Sequence, residues 1–600
     1  MDQFKDSKNL GKAEEMKWWG WGHQNKFFPF ENRPHFWPWV KQKLGIDSDP
    51  INRPPEFTND LIPQSRITAF EISKLEKIFA GHSDVSISNV SISTDAKVRC
   101  QHTYGKSYPD LWRARRKNFV KAPDAVVFPQ THQQVEDTLK WCFENDWTAI
   151  PFGGGTNIVG GVENRDLKNR KCLVISLKKM NQLIHFDQAS QTARMQAGMV
   201  GPEIEKSLND LGYTLGHFPD SFEFSSLGGW IVTRSSGMQS DGYGKIENLV
   251  VSLKVATVNG TLETLVVPTS SAGPDLNQFV IGSEGTIGIV TEAVMRVHKV
   301  PKQKTYLGFL VKDFSHAVAV IRQCHDEHTR PTLFRVQDSH ETELSFKLKT
   351  TPTGMQKWIQ KFAKKLILLR GYGTPCLVIA GFEGSAEEVH FKKSFFQQKM
   401  KTVNAFALGS SVGKTWSKDK YNVPYLRDSL MDYGVIVDVA ETAVTWDKIV
   451  NLYESTVEKM NQEFKKLGVL GYIGCHLSHS YGTGACLYFT YACLEKTQDL
   501  SQYYNLKTAI TSHFVSQGAT LSHHHAVGYE HKPWLRQEIG EVGLAALQAL
   551  KKHFDEKDFL NPGKLMSDDQ HEFVDVKSAR KPSQAFPGSA NEKNQVDIDL

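Results

Sequence analysis

Apolar and polar positions alternate with two different periods along most of this chain. From residue 119 onward, short apolar runs such as TAIPF (148–152) predict strands. Between these runs, stretches such as 133–147 carry apolar residues at helical spacing. The dipeptide Asn259-Gly260 between two apolar runs predicts a β-hairpin. Residues 119–300 are therefore expected to form a first block of mixed strands and helices.

A second block over residues 301–500 repeats the order of strand and then helix. Apolar runs at 306–311, 376–382 and 435–440 are each followed by a helical pattern. This order suggests an antiparallel sheet with helices on one face, and the chain is predicted to be α+β. Three other regions complete the division: an aromatic-rich helical region at 1–118, a helical segment at 501–565 and a polar, disordered tail at 566–600.

The composition is that of a globular protein, because 40% of the 600 residues are hydrophobic and 23% are charged. The formal net charge of +5 is too small to select nucleic acid, and we expect the basic run RARRK (113–117) to form a solvated face. No apolar run reaches the roughly 18 residues of a spanning helix, and because the opening MDQFKDSKNL has no apolar run we expect no secretory signal. The eight cysteines include no C-x-x-C pair, which indicates reduced, mostly buried thiols of an intracellular protein.

Four loops rich in glycine and other small residues stand out in the first block. PFGGGTN (151–157) follows a predicted strand, and its glycines let backbone N–H groups turn inward on an anion. It matches neither the G-x-G-x-x-G nor the P-loop pattern, and alone it is equally compatible with a plain turn. The other three loops are PDSFEFSSLGGW (219–230), TRSSG (233–237) and GSEGTIGIVTEA (282–293).

In this order and spacing, the four loops resemble the FAD-binding domain of the vanillyl-alcohol oxidase and p-cresol methylhydroxylase flavoprotein family. The resemblance implies a two-part FAD-binding domain at 119–300 and an α+β cap domain with an antiparallel sheet at 301–500. It also implies that the loops wrap the pyrophosphate and the flavin edge. No histidine lies between Pro151 and Gly161, so we expect non-covalent FAD. The residues assigned to FAD are Pro151, Phe152, Gly153, Gly154, Gly155, Thr156, Asn157, His217, Pro219, Asp220, Ser221, Phe222, Glu223, Phe224, Ser225, Val232, Thr233, Arg234, Ser235, Gly282, Ser283, Glu284, Gly285, Thr286, Ile287 and Gly288.

Five further segments are similar to the branch of this family that forms the ether bond of ether lipids. They are MKWWGWG (16–22) and residues 217–238, 425–448, 480–489 and 521–528, and the likeness runs in order from about residue 15 to 565. It implies exchange of the acyl chain of acyl-dihydroxyacetone phosphate for a long-chain fatty alcohol, through a substrate adduct at flavin N5 and without net redox change. The likeness leaves open the alternative that this chain is a close relative of that branch and acts on another substrate.

Tyr481 lies in the polar turn SHSYGTGAC between two predicted strands. A free phenol has a pKa of about 10, so tyrosine becomes a useful base only where cations and hydrogen bonds lower that value. The resemblance makes Tyr481 the proton donor and acceptor of the reaction.

Three consecutive histidines, His523, His524 and His525, are placed in the active site by the same resemblance. There they would neutralise phosphate or lower the pKa of Tyr481. In an extended segment His523 and His525 would share one face. Metal binding is the rival function of such a triplet, and we expect no metal because no nearby carboxylate or cysteine completes a ligand set. The nearby His476 and His479 are expected to be solvated or structural.

Arg427 and Arg335 are the candidate cations, because a guanidinium offers a planar fork to carboxylate or phosphate. By resemblance, Arg427 binds substrate, and Arg335 shapes the catalytic site near the flavin. His217 is expected beside the flavin on the same ground. The alternative for the two arginines is a structural ion pair, with Asp428 or Asp338 as the partner.

A FAD-dependent dehydrogenase or oxidase of a 2-hydroxy acid is the rival function within the same family. Those relatives tend to carry an H-x-G-D-G-N-x-H stretch, whereas this chain has HLSHSYGTGACLYF in the corresponding region, which argues against the rival. The family implies a peroxisome, but the chain ends in IDL and shows no clear targeting motif, so we expect a cytoplasmic, membrane-associated enzyme. A homodimer is compatible with the sequence.

Residues 356–370, QKWIQKFAKKLILLR, predict an amphipathic helix. At about 100° per residue, Trp358, Phe362 and Leu366 fall in an apolar half, with lysines and no acid on the other side. Such a helix either lies in a lipid interface or packs on the core of the cap. The implied lipid substrates favour a membrane surface as a partner.

Overall fold

The computed structural model describes residues 16–30, 33–47, 49–80, 91–349 and 371–565. The lysine-rich segment 356–370 and the tail 566–600, on which two sequence predictions rest, lie outside these ranges. In the described ranges the chain forms three main sheets, whose strands are labelled β1 to β18 along the chain.

The first sheet is mixed and has the strand order β1-β2-β4-β3. Its strands are β1 (Ile92–Ser93), β2 (Ala125–Val127), β3 (Thr148–Phe152) and β4 (Cys172–Ser176). Strands β2 and β3 both run parallel to β4, and the helix His132–Glu144 connects β2 to β3. The first glycine loop therefore leaves the carboxyl end of a parallel strand, which is where open α/β sheets bind ligands.

The second sheet has five antiparallel strands in the order β5-β6-β10-β8-β9. They are β5 (Leu183–Asp187), β6 (Thr192–Gln196), β8 (Val250–Thr257), β9 (Gly260–Glu263) and β10 (Ile289–Arg296). A separate short pair joins β7 (Tyr213–Thr214) to β11 (His298–Lys299). Thr257 pairs with Gly260, which confirms the hairpin predicted at Asn259-Gly260.

The third sheet confirms the predicted antiparallel cap. Its seven strands have the order β15-β12-β14-β13-β17-β18-β16, and every neighbouring pair is antiparallel. They are β12 (Gln303–Val311), β13 (Leu333–Gln337), β14 (Cys376–Gly384), β15 (Phe406–Gly409), β16 (Val435–Thr445), β17 (Gly471–Ser480) and β18 (Gly484–Leu494).

Helices cover both faces of the third sheet, so the prediction of helices on one face is wrong. The long helices Phe314–Asp326, Ala386–Thr402 and Ile449–Lys466 bury one face. The helix Ser411–Asp419 packs on the other face, beside Leu310 and Ile379. The helices Phe36–Leu44 and Pro424–Asp432 cover β16 to β18 on that second face. These second-face helices are only nine residues long, which gives the helical period little length in which to appear.

The basic run 113–117 is not a solvated face, which corrects the sequence prediction. Arg113 and Arg115 are buried and form ion pairs with Glu163 at 3.0 Å and Asp432 at 2.6 Å. Arg116 lies 3.1 Å from the Glu495 carboxylate. A buried guanidinium requires an anionic partner, and these partners lie too far along the chain for sequence spacing to reveal them.

The remaining helices connect the sheets and form the C-terminal segment. Within the described ranges they are Ala69–Ala80, Ala96–Gln101, Tyr108–Arg115, Gly201–Asn209, Leu227–Val232, Ser240–Tyr243, Ile246–Leu249, Asn277–Val280, Ser339–Lys347, Ser501–Ser516 and Lys532–Phe554. All eight cysteines are free and buried, as predicted. Among the described helices, none is long and apolar enough to cross a bilayer.

Candidate active site

A cavity of about 480 Å³ lies between the glycine loops and the second face of the seven-stranded sheet. Its wall joins groups from every part of the chain. The glycine loop after β3, the face of β17 with His476, the helix Pro424–Asp432 and the histidine triplet all contribute. The cavity is therefore the place where the sequence-predicted site residues meet.

The first glycine loop forms a cradle that tolerates no side chain. A Cβ atom added to Gly153 would lie 2.2 Å from the Ser226 Oγ, and one on Gly154 would lie 1.9 Å from the Phe224 carbonyl oxygen. Gly155 has a φ of 65°, which favours glycine. The loop thus presents bare backbone to the cavity, which is the surface that a phosphate-bearing cofactor such as FAD requires.

About two thirds of the residues assigned to FAD line this cavity. They are Pro151, Phe152, Gly153, Gly154, Gly155, Thr156, Asn157, Pro219, Asp220, Ser221, Ser225, Val232, Thr233, Ser235, Glu284, Gly285 and Gly288. The other nine do not line it: His217, Phe222, Glu223, Phe224, Arg234, Gly282, Ser283, Thr286 and Ile287. His217, expected beside the flavin, is buried against Trp230, and its Nε2 lies 3.2 Å from the Ser235 hydroxyl, so it supports the wall from behind.

Tyr481 is held at the turn between β17 and β18. Its backbone N–H donates to the Gly484 carbonyl at 2.8 Å, and the Trp446 indole donates to the Tyr481 carbonyl at 3.1 Å. Its hydroxyl lies 2.6 Å from His523 Nε2, and His523 Nδ1 lies 2.9 Å from His524 Nδ1. Tyr481 and His523 stand behind the wall, whereas His524 lines the cavity. The three side chains form a continuous hydrogen-bonded chain that ends at the cavity.

The charge state of this chain differs from the sequence expectation. Burial, with Cys486 and nearby carboxylates, raises the pKa of Tyr481 rather than lowering it. Burial and Lys245 hold the pKa of His523 well below its usual range, and burial lowers the pKa of His524 to about 3. At neutral pH the phenol therefore keeps its proton and the imidazoles are neutral. The consistent arrangement has the Tyr481 hydroxyl donating to His523, and His523 donating to His524.

The histidine triplet is not extended, which corrects the expected pairing of His523 with His525. The backbone N–H groups of His523, His524 and His525 all donate to the Glu441 carboxylate on β16, at 2.7, 3.1 and 2.9 Å. This curled backbone sends His524 and His525 to the cavity and His523 to Tyr481. Burial alone would raise the pKa of Glu441, but the three histidines and these N–H groups hold it well below its usual range.

A carboxylate and a cysteine do lie next to the histidine triplet, so the argument from sequence against a metal ligand set is wrong. Glu441 and Cys486 lie beside His523 and His524, and one ligand atom from each falls within 4.8 Å of the others. The hydrogen bonds show a different use of the carboxylate. Its oxygens already accept three backbone N–H groups and the Ser522 hydroxyl.

Arg335 on β13 is paired, but not with Asp338. Its Nη2 lies 2.5 Å from Glu341 Oε1 and 3.0 Å from His476 Nδ1, and His476 Nδ1 lies 3.0 Å from Glu341 Oε2. Burial would raise the pKa of Glu341, but His476 and Arg335 lower it to about 2. Asp338 instead caps the helix Ser339–Lys347 by accepting the Glu341 N–H at 2.7 Å. Arg335 is thus a fixed, partly neutralised cation in the cavity wall.

Arg427 presents a less neutralised cation to the cavity. Its Nη1 donates to the Lys106 carbonyl at 2.7 Å, and its Nε is buried with no hydrogen-bond partner in the described part of the chain. Asp428, its expected partner, instead accepts the Trp21 N–H at 2.9 Å. The Lys106 N–H donates to the Asn157 carbonyl at 2.6 Å, so one residue joins the glycine loop to Arg427. Burial lowers the pKa of Lys106 to about 8.

His476 and His479 are buried and hydrogen-bonded, which agrees with the structural alternative rather than the solvated one, and both also line the cavity. A bulge between Ser478 and Ser480 in β17 gives His479 a φ of 51°. A bulge re-aims a side chain, and here the ring stacks on His523 with its Nδ1 2.7 Å from the Ser240 hydroxyl. The bulge leaves no mark in the sequence. For Glu441, the sequence offers one indication of a functional role, which is the presence of an acidic residue in the apolar run VIVDVAETAV.

One end of the cavity is apolar. Its lining there comes from the helices Phe36–Leu44, Ser339–Lys347 and Pro424–Asp432, from the start of β17 and from the end of β18. The residues are Phe36, Trp39, Val40, Leu44, Leu344, Leu348, Leu426, Leu430, Tyr472 and Ala492. Tyr472 and His476 lie on the same face of β17, about 13 Å apart at the usual strand rise, so the apolar end extends well away from the histidines.

Comparison with known proteins agrees with this arrangement. The model of an FAD binding domain matches residues 123–265, and that of the C-terminal domain of FAD linked oxidases matches residues 300–565. The chain is 37% identical to an alkyldihydroxyacetonephosphate synthase of Dictyostelium discoideum, over 92% of this chain and 94% of the relative.

Two solved structures extend the comparison. A structure of an alkyldihydroxyacetonephosphate synthase superposes with a TM-score of 0.78 at 34% identity, covering 92% of this chain and 98% of that one. Substrate-bound p-cresol methylhydroxylase shares the fold alone, with a TM-score of 0.61 at 15% identity, covering 84% of this chain and 98% of that one.

The glycine cradle, the antiparallel cap and the two matched domains define an FAD-binding flavoprotein of the FAD-linked oxidase type. Within that class, the chain belongs to the alkyldihydroxyacetonephosphate synthase family.

Proposed function

We propose that this protein exchanges the acyl chain of acyl-dihydroxyacetone phosphate for a long-chain fatty alcohol, giving alkyl-dihydroxyacetone phosphate and a fatty acid. One observation carries the proposal: a single cavity joins the glycine cradle, the Arg427 cation, the end of the Tyr481–His523–His524 chain and a long apolar extension. The relative at 37% identity is named for alkyldihydroxyacetonephosphate synthesis, which supports it.

Each part of the cavity has a role in this exchange. FAD, when bound, supplies an electron-accepting ring. Arg427 and Arg335 hold the phosphate and orient the head group, since a guanidinium suits phosphate. The apolar end takes the alkyl or acyl chain, because burying each methylene is worth about 0.8 kcal/mol. His524 exchanges a proton with the substrate, and Tyr481 restores it through His523. The substrate adduct at flavin N5 stays a prediction.

The proposal predicts turnover without an electron acceptor. Purified protein with acyl-dihydroxyacetone phosphate and hexadecanol, under anaerobic conditions and without dye, should release one fatty acid for each alkyl product formed. Mass spectrometry of both products measures this ratio. Stoichiometric reduction of a dye with a 2-hydroxy acid, and no alkyl product, would instead support the dehydrogenase or oxidase. Acid precipitation of the same sample should release the flavin if FAD is non-covalent.

We also propose that the protein works at the membrane surface from the cytoplasm, with residues 356–370 in contact with lipid. Leu344 and Leu348 line the apolar end of the cavity and come about ten residues before this segment in the chain, which supports delivery of lipid chains there.

Reversing the charge of Lys357, Lys361, Lys364 and Lys365 to glutamate is expected to weaken binding to anionic liposomes strongly. Each lysine near anionic lipid contributes about 1 kcal/mol. Co-sedimentation measures the change, with FAD absorbance as the check on folding. The matched control changes Lys392, Lys393, Lys399 and Lys401 on another cap helix to glutamate. Equal loss in both variants, or no loss in the first, would contradict contact through this segment.

A further inference from the structure

The Glu441 carboxylate is the point on which the whole histidine triplet is fixed. It is 2% exposed, on the central part of β16, and it receives four hydrogen bonds from four consecutive residues, Ser522 to His525. The Ser522 hydroxyl donates at 2.8 Å. These residues belong to no helix or strand, so the usual ladder bonds are not available to hold them.

The position of the three rings follows from this one anchor. Because consecutive N–H groups converge on one carboxylate, the backbone curls and the side chains diverge. The His523 ring is sent toward Tyr481, and the His524 and His525 rings toward the cavity. Backbone N–H bonds to a carboxylate are charge-assisted and roughly twice as strong as neutral ones. The anchor therefore fixes both the 2.6 Å contact to Tyr481 and the 2.9 Å contact between His523 and His524.

We propose that Glu441 is the positioning residue of the proton chain. It touches no substrate, and it acts by holding the histidine backbone so that Tyr481, His523 and His524 stay in hydrogen-bond contact. This inference rests on the proposed function for its rate measurements. An amide cannot replace the carboxylate, because its NH₂ group would face backbone N–H donors where an oxygen now accepts.

Glu441→Gln tests the proposal, with Glu538→Gln as the matched control. Glu538 is exposed and anchors the same loop one step earlier, accepting the Leu521 N–H and the Thr520 hydroxyl at 2.6 Å each. We expect Glu441→Gln to lower kcat about 10²-fold, with flavin content and the KM for fatty alcohol unchanged, because small misplacement of catalytic groups costs about that much. Glu538→Gln should stay close to the parent.

A double-mutant cycle separates positioning from general damage. If Glu441 acts through the proton chain, adding Glu441→Gln to Tyr481→Phe should lower kcat little further, since that chain is already broken. Full multiplication of the two losses would overturn the proposal. So would a metal ion that co-purifies with the parent and is lost in Glu441→Gln, because Glu441 would then be a ligand.

Amide hydrogen exchange gives a readout that needs no activity. Exchange in residues 521–528 should accelerate in Glu441→Gln but not in Tyr481→Phe. If the parent makes no alkyl product, the proposed function fails, while unchanged exchange in Glu441→Gln would separately overturn the anchor. Should Glu441→Gln not fold, Glu441→Asp keeps the charge and withdraws it by one methylene. That variant should fold, exchange faster at 521–528 and lose part of kcat, and parent-like behaviour in both measurements would refute the proposal.

Discussion

Tyr481→Phe is expected to lower the rate of chain exchange about 10²- to 10⁴-fold while FAD stays bound, because a positioned acid–base group is typically worth that much. The ring keeps its place, since the turn is held by backbone bonds to Gly484 and by the Trp446 indole. The hydroxyl that contacts His523 at 2.6 Å is lost. Single-turnover product formation measures the rate, and the flavin spectrum reports the cofactor.

Tyr433→Phe serves as the control for this measurement. Tyr433 packs on Trp37 outside the cavity, so its hydroxyl takes no part in the proton chain. We expect parent-like rates from it. Near-normal exchange by Tyr481→Phe itself would remove Tyr481 from the chemistry and leave the cavity histidines as the acid–base groups.

Gly154→Ala is expected to weaken FAD binding about 10- to 100-fold. The added methyl would lie 1.9 Å from the Phe224 carbonyl oxygen, so the loop or its neighbour must move. Overpacking of this kind typically costs about 1–3 kcal/mol, and each 1.4 kcal/mol is a factor of about ten in an equilibrium constant. Flavin fluorescence on titration with FAD measures the affinity.

Gly373→Ala is the matched control, because no atom lies within 4 Å of a Cβ built there. It should bind FAD as the parent does. A Gly154→Ala protein that purifies with a full complement of FAD would show that the first glycine loop does not contact the cofactor closely.

Local sequence patterns predicted the fold well wherever the structure of a segment depends mainly on its own residues. The strand Thr148–Phe152 and the β8–β9 hairpin fall where apolar runs and the Asn-Gly turn indicate. The antiparallel cap and the FAD domain were also predicted correctly. The second face of the cap sheet was missed, since the helices that cover it are only nine residues long and give the helical period few turns in which to repeat.

The sequence predicted which residues form the site better than it predicted the hydrogen bonds and ion pairs between them. Tyr481 and the histidines do come together, as predicted. Glu441, which fixes them, lies about 80 residues before the triplet, and the only indication of it in the sequence is an acidic residue within an apolar strand. The direction of the Tyr481 pKa was wrong because burial, together with Cys486 and nearby carboxylates, raises it, and both depend on the whole fold. Pairings such as Arg115 with Asp432 likewise depend on tertiary structure alone.

The N-terminal aromatic segment has a consequence for biosynthesis. Trp21, Phe28 and Phe36 pack with Tyr425 and Leu430, and Trp21 bonds to Asp428, 407 positions later. At about 5–20 residues per second, a ribosome needs roughly 20–80 s to make the partner helix after the first tryptophans emerge. During that interval these rings have only each other and neighbouring rings of the same segment to pack on, such as Phe30 against Phe28 and Phe36. The aromatic segment therefore lacks its partner helix for most of synthesis, and the Arg427 side of the cavity cannot form before the helix Pro424–Asp432 has been made.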